Sequence, residues 1–198
     1  MPSLIALYGS PRRKGNTATL LRRAVTGARG AGAEVEEVVL RDLKLSPCLE
    51  IYGCKQTGRC VISDDFGDLS DRLLAADGII LASPIFFYTV SAHTKILMDR
   101  CQSLWVRKYW IEGGAGRPHR RKGLFISVGA THGKRLFDGA RLTVRYFFDT
   151  LDTELWRCEL HRGIDFEGDI EKHPAALDSA EAAGAALVAA VQSDDGGP

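Results

Sequence analysis

The 198-residue chain lacks an excess of either charge: 26 Lys and Arg stand against 25 Asp and Glu, a formal net charge of +1. Neither nucleic acid nor a membrane surface is therefore expected as a partner. No apolar run approaches the roughly 18 residues of a membrane span, and the amino end opens on a strand-like segment rather than a basic region and a signal core. These absences predict a soluble, cytoplasmic protein. Cysteine is scarce and odd in number, with Cys48, Cys54 and Cys60 in one short stretch and Cys101 and Cys158 apart. That usage suits a reducing compartment better than a disulfide framework. There is no internal repeat and no linker-like segment, so residues 1–198 are read as one domain, and a hydrophobic content of 45% is enough to bury a core.

What is present is a regular alternation of strand-like and helix-like apolar patterns, the signature of an α/β fold with a parallel sheet. Strands are expected at 3–8, 34–40, 78–84, 123–129 and 153–160. Thr17, Leu20, Leu21, Ala24, Val25 and Ala28 repeat at helical spacing, and Gly30 and Gly32 end that helix. Further helices are expected to open at Asp64 and Asp65, to run over 91–105 behind a Ser91 cap, and to cover 140–151 and 174–191. Five strands and five helices make a three-layer, doubly wound sandwich. In such a sheet, ligands bind beyond the carboxyl ends of the strands, where the strand order reverses. The loops after the first, third and fourth strands should then form one site.

The first of these loops, "GSPRRKGNT" at 9–17, ends in Gly15, Asn16 and Thr17 at the start of a helix. Unpaired N–H groups and a partial positive charge make such a start an anion cradle. Ser10, Asn16 and Thr17 add side-chain donors, and Arg12 can grip two oxygens at once. A Walker loop would need Lys and then Ser or Thr after its last Gly, and a dinucleotide turn would need G-x-G-x-x-G. A phosphatase would want a Cys in this loop and a receiver domain acidic residues. None is there, which leaves a terminal phosphate monoester held without a metal. After the third strand come four bulky apolar residues, Ile85, Phe86, Phe87 and Tyr88, which are costly at a strand end unless something flat covers them.

Together "GSPRRKGNT", "DDFGDLSDRLLAADGIILASPIFFYTVSAHTKILMDR" and "SVGATHG" resemble the flavodoxin-like NAD(P)H-dependent FMN reductases, near the branch that includes iron-sulfur flavoproteins. The resemblance implies a five-stranded parallel sheet of order 2-1-3-4-5 and bound FMN, with NAD(P)H as co-substrate and a quinone, flavin or other small molecule as electron acceptor. It places Ser10, Arg12, Gly15, Asn16 and Thr17 at the FMN phosphate. Pro84, Ile85, Phe86 and Phe87 would line the ring, and Gly129, Ala130 and Thr131 would close its pyrimidine side. Flavin carries the hard chemistry itself, so no catalytic side chain and no metal ligand are nominated.

In the iron-sulfur branch a C-x2-C-x2-C-x(about 5)-C motif holds a cluster; here Cys48, Cys54 and Cys60 match three places and Ile51 stands at the other. The expectation is free thiols in an inherited loop rather than a cluster. The basic run 117–123 is expected to be solvated. Trp105, Tyr109 and Trp110 before it are expected to pack against another subunit of a homodimer or homotetramer, as the resemblance implies. An alternative is an electron-transfer flavoprotein with no small-molecule substrate. Shuttling flavodoxins are strongly acidic, which a charge of +1 is not.

Overall fold

The computed structural model describes residues 1–114 and 121–194. Five strands, β1 (Ser3–Tyr8), β2 (Glu34–Val39), β3 (Gly78–Ala82), β4 (Arg121–Gly129) and β5 (Thr153–Arg162), form one all-parallel sheet of order β2-β1-β3-β4-β5. The order reverses between β1 and β3, which opens the crevice the sequence pattern called for. β3 is apolar and fully buried, as a strand covered on both faces must be, whereas the edge strand β2 carries Glu34, Glu36 and Glu37 outward.

The helices are α1 (Asn16–Gly30), α2 (Cys54–Thr57), α3 (Phe66–Ala75), α4 (Ala92–Arg100), α5 (Gln102–Val106), α6 (Asp138–Thr150) and α7 (Pro174–Asp194). α1 and α7 cover one face of the sheet, burying Leu20, Leu21, Ala24, Leu187 and Val188 against Ile80, Leu124 and Ile126. α3, α4 and α6 cover the other, around Leu69, Leu97, Phe147 and Phe148. α1 ends as its glycines require: Gly32 takes a left-handed φ of 90°, and the N–H groups of Gly32 and Ala33 return to Arg29 and Ala28. By length and composition α7 could cross a membrane, but in this fold it packs against α1 at very short range. A Cβ at Gly27 would lie 1.9 Å from the Glu181 carbonyl oxygen, and one at Gly184 1.9 Å from that of Ala24.

Two expectations change. The single helix over 91–105 is two, α4 and α5, broken at Cys101 and followed by a wide π-type turn over Arg107–Ile111. Ser91 does cap α4, its hydroxyl accepting the Thr94 N–H at 3.3 Å. The cysteine stretch is not wholly irregular, since α2 forms one turn within it. Residues 117–120 of the basic run lie outside the described residues.

Candidate functional site

At the carboxyl ends of β1, β3 and β4 lies a cleft of about 270 Å3, lined by Ser10, Pro11, Arg12, Gly15, Asn16, Thr17, Pro84, Ile85, Phe86, Val128, Gly129, Ala130, Ile164 and Asp165. A larger cavity, of about 640 Å3, opens at the opposite end of the sheet beside Asp77, Arg121 and Asp152. Open parallel sheets do not place ligands at that end.

One end of the cleft is built from the backbone. Gly15 precedes α1 without lending a side-chain cap, and among the described residues the first N–H groups of the helix, in buried Asn16, Thr17 and Ala18, have no hydrogen-bond acceptor. The loop's carbonyls are already engaged: Arg41 donates to Pro11 O, Arg22 donates to Arg13 O at 3.0 Å, and Arg12 O accepts the Gly15 N–H at 3.3 Å. Engaged carbonyls beside unpaired amides favour an anion. The close fit needs glycine, because a Cβ at Gly15 would stand 3.1 Å from Ser10 Oγ and 3.2 Å from Arg12 Cβ. Ser10 Oγ accepts the Arg12 N–H at 3.1 Å, which leaves its own proton to donate. Arg12 is exposed at the cleft, and its guanidinium has no protein partner among the described residues.

Asn16 works differently from expectation. Its Nδ2 donates to Phe166 O at 2.8 Å and its Oδ1 accepts the Ile170 N–H at 3.2 Å. The side chain ties α1 to the loop after β5, and only the backbone N–H of Asn16 is left toward the cleft end of the helix. Below the cleft, buried hydroxyls lock the strand ends together. Ser91 Oγ donates to Gly9 O at 2.5 Å, Ser83 Oγ accepts the Ser91 N–H at 2.9 Å, and Ser127 Oγ donates to Ser83 O at 2.7 Å.

The apolar wall is narrower than the motif suggested. Pro84, Ile85 and Phe86 line the cleft, but Phe87 is fully exposed and turned away. The reason is a two-residue hairpin: Phe86 and Thr89 exchange backbone hydrogen bonds at 3.0 and 3.1 Å, which forces left-handed φ of 49° on Phe87 and 62° on Tyr88. Each such aromatic residue stores about 1 kcal/mol or more. Gly129 and Ala130 close the far side, while Thr131 is exposed beyond them and does not line the cleft.

A model of the family described as NADPH-dependent FMN reductases matches residues 2–152. The chain is a member of that family. An iron-sulfur flavoprotein of Methanocaldococcus jannaschii is 44% identical over 101 residues, covering 51% of this chain and 52% of that one. An iron-sulfur flavoprotein of Archaeoglobus fulgidus is 34% identical over 126 residues, covering 64% and 61%. The chain thus spans about half to three fifths of the length of these relatives. An NAD(P)H:quinone oxidoreductase of Methanothermobacter marburgensis has the same fold, with a TM-score of 0.71 at 17% identity over 94% of this chain and 96% of that one.

In this family member the donors and shape of the cleft fit FMN, with an anion nest at one end and Pro84 to Phe86 at the other. The cysteine stretch offers three thiols, with Ile51 in the remaining place of the motif. Cys48, Cys54 and Cys60 line one pocket of about 470 Å3 beside Ile51, and no three His, Cys, Asp or Glu side chains among the described residues are placed to hold a metal. That stretch packs on its own chain: Lys55 Nζ lies 3.9 Å from the Tyr52 ring and 5.4 Å from that of Trp110. Trp105 meets Tyr109 at 5.3 Å and Trp110 at 5.6 Å, so part of the surface expected to meet another subunit is already engaged. Cys101 is a core residue, and burial pushes its thiol well above the ordinary range.

Sequence reasoning missed Ile164 and Asp165, which reach the cleft from the loop after β5, and the two arginines that tie the phosphate loop. Ion pairs and hydrogen bonds set that loop: Lys172 and then the Phe166 N–H hold the Asp169 carboxyl below its ordinary pKa. The spacing of Gly163, Gly168 and Asp169 was the only signal for it in the chain.

Proposed function

We propose that this chain is an FMN-dependent NAD(P)H oxidoreductase that passes electrons from a nicotinamide to a quinone, a flavin or another small acceptor. One observation carries the reading: an anion nest and an apolar wall share a single cleft at the switch point of the sheet. Thr17, Ser10 and Arg12, with the first amides of α1, hold the phosphate, and Pro84, Ile85 and Phe86 flank the ring. Bound FMN supplies hydride and one-electron chemistry. The chain's part is to fix the ring, keep one face open to the nicotinamide, and shield the cleft from water. No acid, base or nucleophile is needed.

The aromatic tip at Phe86, Phe87 and Tyr88 stands exposed beside the cleft, at a cost that a second copy would relieve. We read the protein as a homodimer or homotetramer on that ground. A second reading, electron transfer through an iron-sulfur centre, has the three-thiol pocket in its favour, but Ile51 in the place of a fourth thiol weighs against it.

Purified protein incubated with FMN and desalted should show two flavin absorption bands that NADPH bleaches anaerobically and a quinone restores. A colourless protein after soaking would sink the reading, and a broad shoulder with bound iron and sulfide would favour the second one. The double variant Arg12→Ala, Thr17→Val should bind FMN about 100-fold more weakly, since two phosphate contacts of 1–2 kcal/mol each are lost. Flavin content equal to the wild type would refute the assignment of the phosphate loop.

A further inference from the structure

The loop over residues 163–173 lies beyond the family match, which ends at residue 152, yet it forms one wall of the cleft. It is firmly set. Gly163 and Gly168 turn the chain with φ of 71° and 86°, the Ile164 N–H donates to Gly129 O at 3.3 Å, and the Asp169 carboxylate accepts the Phe166 N–H at 2.9 Å. Asn16, the first residue of α1, grips Phe166 O and the Ile170 N–H.

Asp165 is therefore fixed between a residue bound to the end of β4 and one bound to the start of α1. In terms of the proposed cofactor, it sits between the ring end and the phosphate end. It lines the cleft, it is exposed, and among the described residues its carboxylate has no hydrogen-bond or ion-pair partner.

A lone carboxylate next to an anion nest repels a phosphate and accepts hydrogen bonds without donating any. A ligand that presents hydroxyl or amide donors midway between its phosphate and its ring would meet this carboxylate favourably. The neighbouring lining residues, Ile85, Val128, Gly129, Ala130 and Ile164, offer no side-chain acceptor for them.

Resting on the FMN reading, we propose that Asp165 anchors the ribityl chain, its carboxylate accepting hydrogen bonds from the hydroxyls that separate the phosphate of FMN from its ring. Asn16 is the positioning residue that holds this wall against the phosphate loop. The pair makes the cleft selective for a phosphorylated polyol carrying a flat ring over a bare phosphate.

The test compares FMN with riboflavin, which keeps the ribityl chain and lacks the phosphate, by flavin fluorescence quenching on the purified chain. Asp165→Ala should weaken both flavins by a similar factor, about tenfold. Asp165→Asn should weaken both less, because an amide oxygen still accepts. Arg12→Ala should weaken FMN and leave riboflavin unchanged. An Asp165→Ala variant that binds FMN more tightly, or riboflavin as well as the wild type does, overturns the inference, since the carboxylate would then lie by the phosphate or outside the site. Wild-type protein that binds neither flavin overturns the FMN reading itself, so the two failures are distinct. Asp165 is exposed on a loop, and an unchanged far-ultraviolet circular dichroism spectrum checks that the variants are folded.

Discussion

Arg100→Ala is expected to lose about 3–5 kcal/mol of folding stability, because it leaves a buried carboxylate without its partner. Arg100 is fully buried at its side chain and Asp64 nearly so. The guanidinium donates to both Asp64 oxygens, at 2.6 and 3.0 Å, and to the carbonyls of Ser46 at 2.9 Å and Ile62 at 3.4 Å, and it lies 4.7 Å from the Phe66 ring. It also meets the Cys60 thiol. One side chain of α4 thus pins both ends of the cysteine stretch and the start of α3. Arg100→Lys should recover little, since a single ammonium cannot reproduce the fork. The double variant Arg100→Met, Asp64→Leu should be far less damaged than the single one, because no charge is left unpaired.

The same pair sets a pH dependence. Burial alone would raise the Asp64 carboxyl, but hydrogen bonds from Arg100 and from the Ser46 and Phe66 N–H groups outweigh it and hold the group below the ordinary Asp value. Its folded pKa is depressed, so its contribution is complete above the unfolded value of about 3.9 and is lost as pH falls through the folded one. In Arg100→Ala burial is opposed only by the Ser46 and Phe66 N–H groups, and acid relieves the stranded charge. Urea unfolding at pH 7 and near pH 4 should therefore show the deficit of the variant shrinking in acid. A deficit below about 1 kcal/mol at pH 7 would show that the pair does not hold the stretch in place.

Gly184→Ala should lower stability by about 2–4 kcal/mol, although Ala is the better helix former by about 1 kcal/mol. The new methyl would lie 1.9 Å from the carbonyl oxygen of Ala24 and 2.7 Å from its carbon, atoms of backbone that cannot swing aside. α1 and α7 would have to separate, loosening the layer that includes Leu20, Leu187 and Val188. For a chain of this size that amounts to a fall in Tm of roughly 5–15 °C. Gly30→Ala is the matched control: nothing lies within 4 Å of its Cβ, so it should be neutral or slightly stabilising. Calorimetry on the two variants side by side checks the contrast, and equal Tm values would refute the close packing.

Much of the fold was legible because the buried strands are unbroken apolar runs and the helices carry clean stops. Gly32 takes the left-handed turn that a helix end asks for, and Ser91 caps α4. The helix over 91–105 was misread because its apolar spacing runs on through Cys101, and periodicity cannot reveal a break that packing imposes. The order of donors before a helix pointed to Ser10, Arg12, Gly15 and Thr17, and all four line the cleft. Phe87 was misplaced because a two-residue turn reverses the direction of an aromatic run.

By itself the sequence determined the α/β alternation, the donor-rich loop before α1 and the absence of a fourth thiol at Ile51, since each depends on residues close in the chain. Tertiary structure alone decided that Asn16 grips a loop 150 residues away, that Arg22 and Arg41 engage carbonyls of the loop before α1, and that Asp165 lines the same cleft. Local order fixes which groups a segment offers. Only the crossing of distant segments at the sheet's switch point fixes which of those groups are already spent on the protein and which are left for a ligand.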